Sequence, residues 1–238
     1  MRAPKDIVVL TGSGVSAESG VATFRDADGI WAKYDYREVA TPEGFAANPE
    51  LVHEFYNMRR NAVAAVNPNA AHTALAKLEQ GIAERGGRLT LVTQNVDNLH
   101  ERAGSKNILH MHGELNKAEC ASCAAVIECA EDLSIDIVCA SCNRAGGMRP
   151  HVVWFGETPR HVEETADAIM GADLFVSIGT SGSVYPAAGF VAEAHALGVP
   201  TMELNLEPSL NADLFSTGRY GLATEVVPGW VEEVLAAS

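Results

Sequence analysis

The chain has 238 residues, of which 47% are hydrophobic, and its 17 Lys and Arg against 31 Asp and Glu give a formal net charge of −14. This length and composition fit one large folded domain with insertions, or two small ones, and exclude general disorder. The acidic balance disfavours nucleic-acid binding, which needs a basic surface, and no apolar run reaches the roughly 18–20 residues of a membrane span. We expect no signal peptide, and hence a soluble, cytoplasmic protein.

Strand-like and helix-like segments alternate along the chain. Residues 6–10 form the first predicted strand and end in a glycine turn. Apolar residues at three- and four-residue intervals predict helices over 48–66 and 70–85, the second capped by Asn69. Further strands are predicted at 89–93, 107–112, 173–178, 200–206 and 226–227, and further helices over 190–197 and from Trp230. This alternation predicts an α/β fold, a Rossmann-like parallel sheet with helices on both faces.

Two segments interrupt the alternation and are predicted to form a smaller module. They are a helical insertion, 36–66, and a cysteine-containing insertion, 116–149, which is too irregular to assign as helix or strand. The Rossmann-like domain is then predicted to comprise 1–35, 67–115 and 150–238.

Four cysteines form two pairs, Cys120–Cys123 and Cys139–Cys142, each with two residues between its members. The pairs are separated by 139 − 123 − 1 = 15 residues, at the lower edge of the spacing of four-thiolate zinc sites. Four protein thiolates leave no open position on the ion, so the predicted zinc is structural. Two disulfides or four unrelated buried thiols are the alternatives, and Cys129 has no partner at this spacing.

A glycine-rich turn follows the first strand. Gly12, Gly14 and Ala17 fit the pattern G-x-G-x-x-G/A, whose small residues let backbone N–H groups approach a pyrophosphate. A dehydrogenase should continue with a long helix and a second strand, but glycines and polar residues break up the chain here. The sequence therefore predicts a dinucleotide held under a mobile loop, without hydride transfer.

Several short motifs together resemble the sirtuins, a family of NAD-dependent protein lysine deacylases, and are most similar to its bacterial members. The resemblance runs from about residue 6 to 230, and its motifs lie at 11–31, 93–97, 110–113, 150–157 and 179–181, with the two cysteine pairs. Ser13, where the family usually has Ala, and Val21-Ala22, where Ile-Pro is common, depart from the pattern. Ser13 adds a hydroxyl beside the cofactor.

The resemblance implies a reaction in which an acyl-lysine oxygen displaces nicotinamide from NAD. A ribose hydroxyl, deprotonated by a histidine, then attacks the resulting intermediate, and water releases free lysine and 2′-O-acyl-ADP-ribose. His112 is the implied catalytic base, and a neutral imidazole suits that task because its ordinary pKa is about 6.5. NAD is the implied co-substrate, zinc the implied metal, and acylated lysines of proteins the implied partners.

The resemblance also assigns binding residues. The strand around Val153, Trp154 and Phe155 would pair with the substrate peptide, and Asn95 and Asp97 would hold nicotinamide. The implied cofactor-binding residues are Gly12, Ser13, Gly14, Ser16, Ala17, Glu18, Phe24, Arg25, Trp31, Gln94, Asn95, Val96, Asp97, Gly179, Thr180, Ser181, Asn205, Leu206, Glu207 and Ala223.

Tyr56 and Arg59 are three residues apart in a predicted helix, so both side chains share one face. A phenol and a guanidinium that converge on an acyl pocket can bind a carboxylate. The pair resembles the Tyr-x-x-Arg motif of sirtuins that remove succinyl and malonyl groups, which predicts desuccinylase, demalonylase and deacetylase activity. The alternative is an arginine that simply faces solvent.

Three other functions compete with deacylation. A module that binds NAD or ADP-ribose without turnover would lack the base or the nicotinamide pocket. A mono-ADP-ribosyltransferase would use the same release of nicotinamide but leave ADP-ribose on its target. A zinc-ribbon nucleic-acid module is disfavoured by the charge of −14.

Overall fold

A computed structural model describes residues 4–22 and 33–237. Its strands are β1 (Asp6–Thr11), β2 (Arg88–Thr93), β3 (Ile108–His110), β4 (Gly113–Cys120), β5 (Val126–Glu128), β6 (Met148–Val152), β7 (Leu174–Ile178), β8 (Thr201–Asn205) and β9 (Thr217–Tyr220). Six of them form a parallel sheet in the order β3-β2-β1-β7-β8-β9. The carboxyl ends of all six therefore lie along one edge.

Helices cover both faces of this sheet. The α-helices of the described chain are α1 (Tyr36–Val39), α2 (Pro42–Ala47), α3 (Pro49–Ala64), α4 (Ala70–Glu84), α5 (Leu99–Ala103), α6 (Val162–Met170), α7 (Phe190–Ala196) and α8 (Ala223–Ala236). Side chains of a strand alternate between faces, so Ile7 and Val9 of β1 pack with α4 and α8. Val8 and Leu10 pack with α6 and α7 on the other face. The α/β prediction is confirmed.

The two helices with the clearest apolar spacing, α3 and α4, are confirmed. Asn48 accepts a hydrogen bond from the Leu51 N–H at the start of α3. Asn69 accepts from the N–H groups of Ala71 and His72 at the start of α4. Each side chain satisfies a backbone donor that the first turn of a helix leaves free.

The cysteine segment is more regular than its sequence indicates, because β4, β5 and β6 form an antiparallel sheet. Helix α3 packs on this sheet and its loops. Asn57 Nδ2 donates to the Leu133 carbonyl at 2.8 Å, and His53 Nε2 lies 2.9 Å from the Met148 carbonyl oxygen. The helical and cysteine insertions are thus in contact, while the domain boundaries above stay a prediction.

The strand predicted at 226–227 is wrong, because both valines lie inside α8. Val227, Trp230, Val231 and Val234 form one buried stripe against the sheet, and this packing outweighs the β propensity of two adjacent valines. Among the described residues, no helix is both long and apolar enough to cross a membrane.

Candidate active site

The glycine loop after β1 and the turn after β7 meet at the carboxyl edge of the sheet. Gly12 N–H donates to the Ile178 carbonyl at 2.9 Å, and Gly14 N–H to the Gly179 carbonyl at 3.0 Å. A Cβ atom on Gly14 would lie 2.8 Å from Gly179 Cα, so these backbones pass too closely for side chains. The carboxyl edge of a parallel sheet, lined by such a backbone, is where a dinucleotide pyrophosphate binds.

One buried hydroxyl, Ser16 Oγ, joins the glycine loop to the loop after β2. It donates to Asp97 Oδ2 at 3.1 Å, accepts from Asn95 Nδ2 at 3.1 Å, and lies 3.3 Å from His72 Nε2. Burial raises the pKa of Asp97 and lowers the pKa of His72 to about 4. Ser16 therefore fixes the two side chains predicted to hold nicotinamide. His72 was missed by the sequence analysis.

The chain around Asn95 and Asp97 is held rigidly on both sides. Gln94 N–H donates to the Thr11 carbonyl at 2.9 Å, and the Val96 carbonyl accepts from Leu115 N–H at 2.8 Å. Asp97 Oδ1 accepts from Leu99 N–H at the start of α5. The loop is thus tied to β1, to β4 and to α5 before any ligand binds.

His112 lies between β3 and β4, with one ring nitrogen engaged. Its Nδ1 is 3.0 Å from the Gln94 carbonyl oxygen, which can only accept, so Nδ1 carries the proton and Nε2 keeps its lone pair. Burial lowers the pKa of His112 below its ordinary 6.5. At neutral pH the residue is a neutral imidazole with a basic Nε2, as a catalytic base requires.

The pKa of the neighbouring His110 is shifted in the opposite direction. Its Nε2 lies 2.5 Å from Glu101 Oε1. Burial opposes its charge, but the hydrogen bond and the negative charge of Glu101 outweigh that effect and raise the pKa of His110. Because the pKa of His110 is raised and that of His112 is lowered, His112 is the better candidate for a base that is neutral at neutral pH.

The chain after β6 bridges the large sheet and the helical insertion. Val153 N–H donates to the His112 carbonyl at 2.9 Å, and Phe155 N–H to the Ala40 carbonyl at 3.0 Å. Trp154 is buried, whereas the Phe155 side chain is half exposed. The segment thus lies beside His112, and because its Val153 and Phe155 N–H groups are used within the chain, its main-chain pairing with a peptide stays a prediction.

Tyr56 and Arg59 share one face of α3, as their spacing predicts. Tyr56 is 1% exposed, and Arg59 Cζ lies 5.6 Å from the centroid of the Tyr56 ring and equally far from that of Phe55. Burial lowers the pKa of Arg59, while Tyr56 and Asp97 favour its charged form.

The far end of the predicted cofactor site is built by the turns after β7 and β8. Asn205 Nδ2 donates to the Thr180 carbonyl at 2.8 Å, so it ties the two turns together. Ser181, Leu206 and Glu207 follow in these turns, and Leu206 and Glu207 are exposed.

Glu18, in the glycine loop, contacts the start of α8. Its carboxylate accepts from the N–H and the hydroxyl of Thr224, next to Ala223. Ser13 and Ala17 begin two short 3-10 helices in the loop, Ser13–Val15 and Ala17–Ser19. Phe24, Arg25 and Trp31 lie outside the described residues, so their predicted contacts stay predictions.

The four paired cysteines converge, as a zinc site requires. All four Sγ atoms lie within 4.8 Å of one another, and Cys120–Cys142 and Cys123–Cys139 Sγ atoms are 3.7 Å apart. Tetrahedral zinc with Zn–S bonds of about 2.3 Å sets sulfurs about 3.8 Å apart. The N–H groups of Cys142 and Ser141 lower the pKa of Cys139 to about 6. The cluster therefore fits zinc and a structural role.

Cys129 takes no part in this cluster. Its Sγ lies 3.3 Å from the Glu131 carbonyl oxygen, and the thiol is buried.

Comparisons with known proteins agree with this geometry. A family model described as "Sir2 family" matches residues 12–186. An NAD-dependent protein deacylase of Caulobacter vibrioides is 62% identical over 99% of both chains. A crystal structure of a Sir2 homolog–NAD complex has a TM-score of 0.87 and 39% identity, covering 97% of this chain and 90% of that one. A structure of Sir2 bound to acetylated peptide has a TM-score of 0.81 and 29% identity, covering 97% and 93%.

Proposed function

The chain belongs to the Sir2 family, and we propose that its acyl pocket selects acyl groups that end in a carboxylate. It is an NAD-dependent protein deacylase, which transfers the acyl group of a lysine to the ADP-ribose of NAD. The proposal rests on the pairing of Tyr56 and Arg59 on one buried face of α3. Succinyl- and malonyl-lysine are the proposed preferred substrates, and acetyl-lysine enters the same pocket without a partner for the two side chains.

The described residues have definite tasks in the proposed mechanism. Asn95 and Asp97, fixed by Ser16, hold nicotinamide while the acyl oxygen attacks the ribose carbon and the bond to nicotinamide breaks. His112 Nε2 then removes the proton from a ribose hydroxyl, whose oxygen attacks the carbon of the acyl intermediate. Water adds to that carbon, and its bond to the lysine nitrogen breaks, which releases lysine and 2′-O-acyl-ADP-ribose. The Gln94 carbonyl holds the proton of the neutral ring on Nδ1, and burial lowers the pKa of His112, so Nε2 is unprotonated for this step.

The positive charge of Arg59 discriminates between acyl groups that end in a carboxylate and the acetyl group. A guanidinium presents several N–H donors in a plane and matches a carboxylate in two-point contact. Because Arg59 is partly desolvated between the Phe55 and Tyr56 rings, a carboxylate replaces part of its lost hydration. A methyl group offers no such compensation.

We further propose that the enzyme works in the cytoplasm. A cluster of four thiolates needs reduced cysteines, and the cytoplasm keeps thiols reduced.

The replacement Arg59→Met tests the carboxylate pocket. A hydrogen bond to a charged group contributes about 1.5–3 kcal/mol, so the ratio of kcat/KM for succinyl- over acetyl-peptide should fall roughly 10- to 150-fold. Arg37→Met, the same change at an exposed arginine of α1, is the matched control and should leave the ratio unaltered. If Arg59→Met lowered kcat/KM equally for both peptides, the pocket assignment would be refuted.

A further inference from the structure

The indole of Trp154 donates its N–H to the phenol oxygen of Tyr56, with Nε1 and Oη 3.0 Å apart. Both side chains are buried, at 3% and 1% exposure. We propose that Trp154 is a positioning residue for acyl specificity: its N–H turns the Tyr56 hydroxyl proton toward the carboxylate of the acyl group. This inference rests on the proposed function and deepens it.

The hydrogen-bonding capacity of the three groups leads to this assignment. An indole N–H and a guanidinium can only donate, whereas a phenol can donate once and also accept. Because Trp154 donates to Tyr56, the phenol oxygen is the acceptor in that bond. Arg59, whose Cζ lies 5.6 Å from the centroid of the Tyr56 ring, offers donors as well. The Tyr56 proton therefore has no acceptor in either neighbour, and burial raises the pKa of Tyr56 so that the proton is retained.

The indole itself is held in place by an ion pair. Arg149 makes two hydrogen bonds to the Glu157 carboxylate, at 2.6 and 2.9 Å, and its guanidinium carbon lies 3.5 Å from the centroid of the Trp154 ring. Glu157 also accepts from the Trp154 N–H of the backbone at 2.8 Å. Ring and backbone of Trp154 are thus fixed by the same pair, so the direction of the indole N–H is set before substrate binds.

The result is a pocket wall that presents donors alone at the Tyr56–Arg59 end. A carboxylate, which only accepts, completes this wall. A terminal amide of the same size places an NH2 donor against the donors of the wall. The methyl of an acetyl group offers no hydrogen-bond acceptor to it. Trp154 therefore contributes to selectivity without touching the carboxylate, because it uses up the accepting side of Tyr56.

A double-mutant cycle between Trp154→Phe and Tyr56→Phe tests the inference. The readout is the succinyl-over-acetyl ratio of kcat/KM, with KM and kcat determined separately and the melting temperature of each variant as a check on folding. We expect Trp154→Phe to lower the ratio about tenfold in the wild-type background, mainly through KM for the succinyl peptide. In the Tyr56→Phe background, which has no hydroxyl to orient, it should have no further effect on the ratio. Trp230→Phe, at a buried tryptophan of α8, is the matched control and should leave the ratio unaltered.

The outcomes separate this inference from the proposed function. If Tyr56→Phe lowers the ratio and Trp154→Phe lowers it equally in both backgrounds, the carboxylate pocket stands and the orienting role is refuted. If Tyr56→Phe leaves the ratio unaltered, the carboxylate pocket itself fails and the inference fails with it.

A second measurement uses the wild-type enzyme and avoids any loss of folding. Peptides carrying succinyl-lysine or its terminal amide analogue differ by an oxygen against an NH2 group. We expect KM for the amide to be at least tenfold higher. Equal KM values would overturn the donor-only wall, because they would show that Tyr56 can also accept a hydrogen bond from the ligand.

Discussion

Loss of the zinc site should unfold the small sheet and, through it, the acyl pocket. The perturbation is Cys139→Ser, which removes one of four thiolates from the cluster. The apolar core around the cysteines contains two large buried aliphatic side chains, Leu133 at 3% and Met148 at 1% exposure, and each contributes about 1.5–3 kcal/mol. Structural zinc contributes about 10–16 kcal/mol in small zinc-binding folds, so the metal dominates the stability of this region.

The expected magnitude follows from one lost ligand in four. A quarter of the zinc contribution is about 3 kcal/mol, which lowers the melting temperature of a domain of this size by about 6–12 °C. The acyl pocket should be lost early, because α3 rests on Leu133 through Asn57 and on Met148 through His53.

The assay combines bound zinc, measured by mass spectrometry of the metal, with thermal unfolding and deacylation rates. Cys129→Ser is the matched control, since its thiol lies outside the cluster, and its melting temperature should fall less than half as far. A Cys139→Ser protein that melts like the wild type would refute the structural role of the metal.

Three further results are expected from the site geometry. His112→Ala should lower kcat about 10²- to 10⁴-fold without lowering the melting temperature; full turnover would contradict the base assignment. Since burial lowers the pKa of His112 below its ordinary 6.5, the midpoint of the fall in kcat on the acid side should lie below pH 6.5, where Nε2 becomes protonated. A midpoint above pH 6.5 would instead point to His110, whose pKa is raised. Gly14→Ala forces a Cβ to within 2.8 Å of Gly179 Cα, and such overpacking destabilises a protein by about 1–3 kcal/mol. The melting temperature should therefore fall and KM for NAD should rise. Unaltered values would show that the close approach is unimportant.

Local signals in the sequence were enough for α3, α4 and five of the six strands of the large sheet, but they did not predict β9 or α6. Asn48 and Asn69 cap helices whose apolar residues repeat at helical spacing, and the runs of buried valine, leucine and isoleucine predict strands. The pattern failed at residues 226–227, where tertiary packing of Val227 and Trp230 against the sheet overrides local propensity. It also gave no strands for the cysteine segment, whose short paired strands lack a regular alternation.

The hydrogen-bond network of the candidate site could not be derived from sequence alone. Ser16 is 56 residues from His72 and 79 from Asn95, and no local pattern links such positions. Resemblance identified Asn95, Asp97 and His112 by motif, while His72 and the Trp154–Tyr56 contact became visible only when the fold brought them together. The sequence signal that points to His72 is its position: a polar residue at helical spacing from the apolar residues Leu75 and Leu78 of α4.

The most direct test incubates the enzyme and NAD with matched succinyl-lysine and acetyl-lysine peptides and follows both by mass spectrometry. We expect NAD-dependent loss of both groups, faster for succinyl, with one nicotinamide and one 2′-O-acyl-ADP-ribose formed for each acyl group removed. Loss of acetyl alone would contradict the carboxylate pocket. ADP-ribose attached to the peptide, or bound NAD without any loss of acyl groups, would contradict deacylation itself.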